Sequence, residues 1–335
     1  MRTPTAPMWT SAQWLGYFSM LISLLALPGI VHAQQATPSP PSDSGYTVSV
    51  NVDEVVLHAT VRNRHGAPVA GLSKDNFLVF EDRVLQPVKH FSHEDIPVTV
   101  GLVIDNSGSM RPKRAEVIAA ALAFAGSSNP QDQMFLVNFN EHVSFGLPRN
   151  VIFTDQPEQL KAAMRTVIAD GETALYDAVA IALERLKMGN RDKKVLIVVS
   201  DGADNASAHT KAQMLELATQ SDAIIYALAI YERDDPDRTP QVLNKLAKVS
   251  GGEAFFPESL SDVVPICERI AREIRDQYTI SYIPTNQKQD GRYRAIRVRA
   301  SLNGADLAVS TRAGYVPQLK PPATTANASK PKTRN

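Results

Sequence analysis

The sequence has a single cysteine, Cys267, in 335 residues, so no intramolecular disulfide can form. Cys267 sits in an apolar helical pattern, which suits a buried structural thiol. Net charge is also missing: 35 Lys and Arg balance 35 Asp and Glu. That balance excludes the basic footprint that phosphate-backbone binding requires, and with it nucleic acid as an expected partner. No Gly-x-Ser-x-Gly nucleophile elbow and no Gly-rich phosphate loop ending in Lys is present, which removes two common frameworks for catalysis. After residue 31 no apolar run is long enough to span a bilayer.

Charge is scarce at the N-terminus, where Arg2 stands alone in the first forty residues. The apolar run Leu15 to Ile30 is followed by Val31-His32-Ala33, a small-x-small pattern before Gln34. This layout predicts a secretory signal peptide over 1–33 and a periplasmic, secreted or cell-surface protein. The competing reading is an uncleaved anchor over Trp14 to Val31, the one route by which a membrane becomes a partner. Pro28 and Gly29 interrupt the helix where a peptidase needs extended chain and favour cleavage. No Cys follows the run, so a lipidated N-terminus is not indicated.

Residues 34–45 (QQATPSPPSDSG) read as a Pro/Ser linker. The 46–95 segment carries alternating β-branched runs at Tyr46 to Val52, Val55 to Val61, Phe77 to Phe80 and Val84 to Phe91, separated by turn signals. Residues 96–275 alternate strand and helix. Val98 to Ile104, Met134 to Phe139, Val195 to Ser200 and Ala223 to Ile230 are near-continuous apolar runs, as parallel strands buried on both faces require. Helical patterns fall at Arg111 to Ala125, Glu158 to Ile168, Thr173 to Lys187, Lys211 to Gln220, Pro240 to Val249 and Leu260 to Arg275. This alternation predicts an α/β class with one doubly wound, mostly parallel sheet. Strand patterns return in 276–317, and 318–335 reads as a disordered Pro/Ala/Thr/Lys tail. Each flanking β segment is marginal alone. The expectation is that the two pair in one small antiparallel sandwich into which the α/β domain is inserted; two separate β modules are the alternative.

The first apolar strand of the α/β region ends at Asp105, and the chain continues Asn106-Ser107-Gly108-Ser109-Met110. Spacing by two along an extended loop sends Asp105, Ser107 and Ser109 to one side. Asp170-Gly171-Glu172-Thr173 precedes a helix, and Ser200-Asp201-Gly202 ends another buried strand. In a doubly wound sheet these loops share the edge where ligands bind. Two carboxylates (Asp105, Asp201) and three hydroxyls (Ser107, Ser109, Thr173) are hard oxygen donors that suit Mg²⁺, with Mn²⁺ and Ca²⁺ as rivals.

Asp-x-Ser-x-Ser, a later Thr and a later Asp-Gly resemble the metal-ion-dependent adhesion site of von Willebrand factor A domains. The resemblance spans roughly Pro97 to Arg275. Ile104 to Met110, Thr173 to Ala178 and Ser200 to Gly202 are similar to exported bacterial proteins of that type. It implies that Ser107, Ser109 and Thr173 contact a metal by their hydroxyls, with Asp105 and Asp201 acting directly or through water. It further implies a protein partner that offers an Asp or Glu carboxylate to the metal, with no bond made or broken. One departure is Glu172, where the family pattern has a small residue; an extra carboxylate there either raises cation affinity or occludes the open position.

Three other readings compete. Asp105 and Ser109 would serve merely as helix caps if the Thr and Asp-Gly partners were accidental. An Asp at a strand end also suits a phosphatase-like hydrolase, but that chemistry needs a second acid where this sequence has serines. The third is a structural envelope module whose metal only stabilises the fold. His90 and His93 fall on opposite faces of a strand, Glu232 to Asp237 reads as a solvated acidic loop, Asn205-Ala206-Ser207 as a chance glycosylation sequon, and Arg292 to Arg299 as a solvated basic strand face. The partner's identity and the oligomeric state are not encoded in any motif.

Overall fold

The computed structural model describes residues 54–165, 168–231 and 239–317, all within one unit. The expected signal peptide, the linker, the strand pattern at Tyr46 to Val52, the acidic loop Glu232 to Asp237 and the C-terminal tail lie outside the described residues. Among those described, no helix is long and apolar enough to cross a membrane.

The chain opens with strands β1 (Val55–Arg62), β2 (Phe77–Glu81), β3 (Val84–Gln86) and β4 (Val88–Ser92). It then alternates: β5 (Val98–Asp105), α1 (Arg114–Ser127), β6 (Gln133–Phe139), β7 (Val143–Phe145), α2 (Pro157–Arg165), α3 (Leu175–Leu186) and β8 (Lys193–Ser200). After these come α4 (Lys211–Gln220), β9 (Ile224–Ala229), α5 (Pro240–Ser250), β10 (Ala254–Phe255) and α6 (Val263–Arg275). It closes with β11 (Tyr278–Tyr282), β12 (Arg294–Leu302), β13 (Ala305–Ser310) and β14 (Gly314–Tyr315).

The α/β part forms a six-stranded sheet in the order β10-β9-β8-β5-β6-β7. All its pairings are parallel except β6 with the short edge strand β7. Every residue of β5 and β9 is buried, as both faces of the sheet are covered by helices. Strand order reverses at β5, which pairs with β6 on one side and β8 on the other. A crevice at the carboxyl end of such a strand is where open α/β sheets hold ligands. The polypeptide does not pass directly from Asp105 into an α-helix: Gly108 to Lys113, including Pro112, form a 3-10 turn before α1.

The remaining strands make a separate antiparallel sheet in the order β3-β2-β12-β13-β1-β11-β4, with β14 on β12. The N-terminal and C-terminal β segments therefore pair with each other. β1 runs between β11 and β13, and β2 lies on β12. The sheet curls until its ends meet, and Phe77 of β2 packs on Phe91 of β4 with ring centroids 5.3 Å apart. Val84 to Phe91 is not one strand. Pro87 splits it, and β3 pairs with β2 while β4 pairs with β11. Leu57, Val79, Tyr278 and Ile280 centre this second core, distinct from the core of the α/β part.

A polar network joins the two cores. Arg62 at the end of β1 donates through Nη2 to Glu253 (2.6 Å) and to Glu273 on α6 (2.7 Å). The Glu273 side chain is only 4% exposed. Arg269 Nε also donates to Glu273, at 2.8 Å, so losing Arg62 removes one charged hydrogen-bond partner rather than all of them and costs roughly 1.5–3 kcal/mol. Arg62→Met is accordingly expected to lower unfolding stability by about that amount in urea titration. A loss within about 0.5 kcal/mol of zero would mean that the pair does not tie the two sheets together.

Candidate metal centre

Three loops converge at the carboxyl edge of the parallel sheet. Asp105 closes β5 and is buried. Its Oδ1 accepts from the Ser107 amide at 2.8 Å, and its Oδ2 from the Ser200 hydroxyl at 2.7 Å. Ser109 Oγ donates to Asp201 Oδ2 at 2.5 Å, and the Ser107 and Ser109 hydroxyls are 3.2 Å apart. The spacing by two thus gathers Asp105, Ser107 and Ser109, and the end of β8 brings Asp201 to them. Thr173, also buried, arrives on the loop before α3. That loop is fastened to the first where the Gly108 amide donates to the Gly171 carbonyl at 3.1 Å and the Asp170 amide to the Asn106 carbonyl at 2.9 Å.

The electrostatics are unbalanced. Burial, with the nearby Asp201 carboxylate adding to it, pushes the Asp105 carboxyl up to about 6 against the hydrogen bonds from Ser107 and Ser200. The cations of the adjoining turn are engaged elsewhere. Arg111 pairs with Asp170 at 2.8 Å, Lys113 donates to the Ile230 carbonyl at 3.3 Å, and Arg114 donates to Asn106 Oδ1 and the Met164 carbonyl. Among the described residues, neither Asp105 nor Asp201 has a basic partner, and no group of three or more His, Cys, Asp or Glu side chains is arranged to hold a metal. Two carboxylates and the Ser107 and Ser109 hydroxyls meet here, with Thr173 on the adjoining loop; all are hard oxygens, and this set fits a small divalent cation.

Two features escaped the sequence. The first is a clamp between the loop after Asp201 and the start of α3. Asn205 encircles Thr173: its Oδ1 accepts from the Thr173 amide (2.7 Å), while its own amide donates to the Thr173 carbonyl (2.9 Å). Asp204 accepts from the Tyr176 amide, the Ser207 hydroxyl accepts from the Asp177 amide, and Asp177 in turn accepts from the amides of Ala208 and His209. The side chains thereby satisfy amides that a helix start leaves without partners. The sequon-like Asn205-Ala206-Ser207 is part of this clamp, and nothing in its spacing announces that role. The second is Glu141, on the loop after β6. A Cβ at Gly171, whose φ is +82°, would lie 1.8 Å from Glu141 Oε2, so the carboxylate rests on the glycine. Glu172, singled out as a departure, is exposed.

A raised carboxyl has a consequence for the metal-free protein. Between the ordinary value of 3.8 and about 6 the folded state binds a proton at Asp105 that the unfolded chain has released. Stability from this group therefore falls as pH rises through that window, and the penalty is fully present above it. In EDTA at neutral pH, Asp105→Asn is expected to raise the melting temperature and to flatten the pH slope. An unchanged slope in thermal melts of the variant would show that Asp105 does not carry the strain.

Residues 100–203 match the family model of the von Willebrand factor type A domain. No curated protein matches the sequence. Among solved structures, the chain is similar to a von Willebrand factor type A protein from Catenulispora acidiphila (13% identity, 79% of this chain and 75% of that one, TM-score 0.47). It is also similar to the vWF domain of the type V pili tip protein Mfa5 from Porphyromonas gingivalis (14%, 54% and 95%, 0.45). A third is proximal thread matrix protein 1 from the mussel byssus (15%, 54% and 49%, 0.44), of whose length the chain spans about half. The family match covers the strand that ends in Asp105, the loop that carries Thr173 and the strand end that carries Asp201. The match takes in about a third of the chain, and over that stretch the chain is similar to a von Willebrand factor type A domain.

Proposed function

We propose that Asp105, Ser107, Ser109, Thr173 and Asp201 hold a divalent cation, Mg²⁺ before Mn²⁺ or Ca²⁺, and that the protein uses it to bind a partner protein. The observation that carries this reading is the pair of buried carboxylates, Asp105 and Asp201, with hydroxyls between them and no basic partner among the described residues. Buried like charges are costly, and a bound cation offsets them. The charge count also suits binding by the metal. Two carboxylates neutralise a divalent ion, and neutral hydroxyls fill further positions without adding negative charge. The ion stays electrophilic and takes one more oxygen, which a partner's Asp or Glu supplies. Domains of this type generally bind proteins in this way, and no chemical step is needed. The signal-like N-terminal text supports an adhesion or assembly role outside the cytoplasm.

Calorimetric titration of Mg²⁺ and Mn²⁺ into the purified protein tests the first half. Saturable binding is expected in the wild type and none in Asp105→Ala or Thr173→Ala. Asn205→Ala, which removes the hydrogen bond on the Thr173 amide, is expected to weaken binding by about tenfold or more. At about a hundredfold excess over Kd the metal should add about 2.7 kcal/mol of stability. No binding in the wild type would sink the reading. A structural envelope module is the second reading, since Ser109 and Asp201 already bond directly at 2.5 Å and a metal there would stiffen the edge. Stabilisation by Mg²⁺ without any Mg²⁺-dependent capture of a carboxylate-bearing protein would favour it.

A further inference from the structure

The antiparallel sheet is interrupted along β12. β12 pairs with β13 at Ala300 to Leu302 and with β14 at Arg294 and Ala295. Between those pairings, four residues of β12 (296–299) face six of the returning chain (308–313). The returning chain is drawn away from β12 on two sides. Ala308 to Ser310 pair instead with Arg62 to Thr60 of β1. Thr311 and Arg312 lie against Gly251 at the end of α5, where an added Cβ would come within 2.2 Å of their backbone. Gly251 is the left-handed cap of that helix, and its missing side chain admits the approach.

What remains is an open cleft of about 520 Å³, within the size range of ligand sites. Val298 borders it without a partner on β13. The Ile296 amide donates towards the returning chain, to Ala313, and strand alternation points the Val298 backbone the same way. Thr311, whose buried hydroxyl has no hydrogen-bond partner, also lines the opening. The charged rim is Lys248, Arg297, Arg299 and Asp306. Arg299 is paired with Asp306 at 3.3 Å, while Lys248 and Arg297 are exposed and have no acidic partner among the described residues. This is part of the basic strand face that Arg292 to Arg299 presents in the sequence.

We propose that this cleft binds an extended acidic segment of a partner protein, its carboxylates on Lys248 and Arg297 and its backbone against the open strand position at Val298. Strand addition of this kind takes affinity from main-chain hydrogen bonds and selectivity from alternate side chains. The chain's own C-terminal residues are the wrong occupant on charge, for 318–335 contain four Lys and Arg and no acid. The site is independent of the proposed metal.

Fluorescence anisotropy with the full protein and a labelled short peptide alternating Glu and Val tests the cleft. Saturable binding is expected, at least about fivefold weaker in Lys248→Glu and in Arg297→Glu, whose exposed positions leave folding intact. It should also be lost when alternate peptide amides are N-methylated, and unchanged in EDTA or in Asp105→Ala. A peptide alternating Lys and Val should not bind. Equal binding of the two peptides, indifference to both charge reversals or to N-methylation, or binding only to anionic phospholipid vesicles would overturn the proposal.

Discussion

The edge where the three loops meet is organised around one costly fact: the Asp105 carboxylate is buried at the end of the central strand with another carboxylate, Asp201, beside it. Position in the sheet makes this unavoidable. β5 is covered on both faces, so its last residue leaves the core only through the carboxyl edge, and the loop after β8 arrives there too. Hydrogen bonds from the Ser107 amide and the Ser200 hydroxyl reduce the cost without supplying a positive charge. The surrounding cations hold the loops together through Asp170, Ile230 and Asn106 rather than neutralise the pair. The proposed cation site rests on this contrast: nearby basic residues go to scaffolding, while the two buried acids have no basic partner among the described residues.

Holding those donors in place is mostly a matter of amides. The loop before α3 is stitched to the first loop through Gly108 and Asp170, and to the third through Asn205. These contacts involve groups that a helix start or a strand end would leave without partners, so the clamps that satisfy the backbone also fix the site. Rigid support of this kind lowers the reorganisation needed on binding a metal.

Much of this was legible in the sequence because buried parallel strands leave near-continuous apolar text. Val98 to Ile104 and Val195 to Ser200 became β5 and β8 with one or two residues added. The helix patterns from Thr173 and from Leu260 begin later, at Leu175 and Val263, because cap residues and a short 3-10 turn precede them. β7 and β10 were not legible, since two or three residues show no periodicity. Asp105, Ser107 and Ser109 could be named because Asp-x-Ser-x-Ser is local, and Thr173 and Asp201 because a helix start and a buried strand end put them on the same edge of the sheet. Asn205 and Glu141 could not, because each meets its loop across a long sequence separation. The same reason hides the split at Pro87: only the fold shows that β3 and β4 join opposite ends of one sheet.

The two sheets also divide the molecule's surface. The chain leaves the antiparallel sheet after Ser92 and returns at Tyr278, one residue before the Thr279 that pairs with Ser92, so the α/β part is inserted between neighbouring positions. It attaches at the amino ends of the parallel strands. There Gln277 Nε2 donates to the Thr60 hydroxyl of β1 and to the Tyr226 hydroxyl of β9. The interrupted strand pairing lies at this same end, since Gly252 approaches the Ile225 carbonyl near the start of β9. By register Ile225 lies level with Gly101, four residues before Asp105 and two strands away, roughly 13 Å along the strands and about 10 Å across them. At that distance and with ordinary salt, charges at one end scarcely alter those at the other. The acidic edge and the basic cleft are therefore electrically separate, and each is free to meet a ligand of the opposite sign.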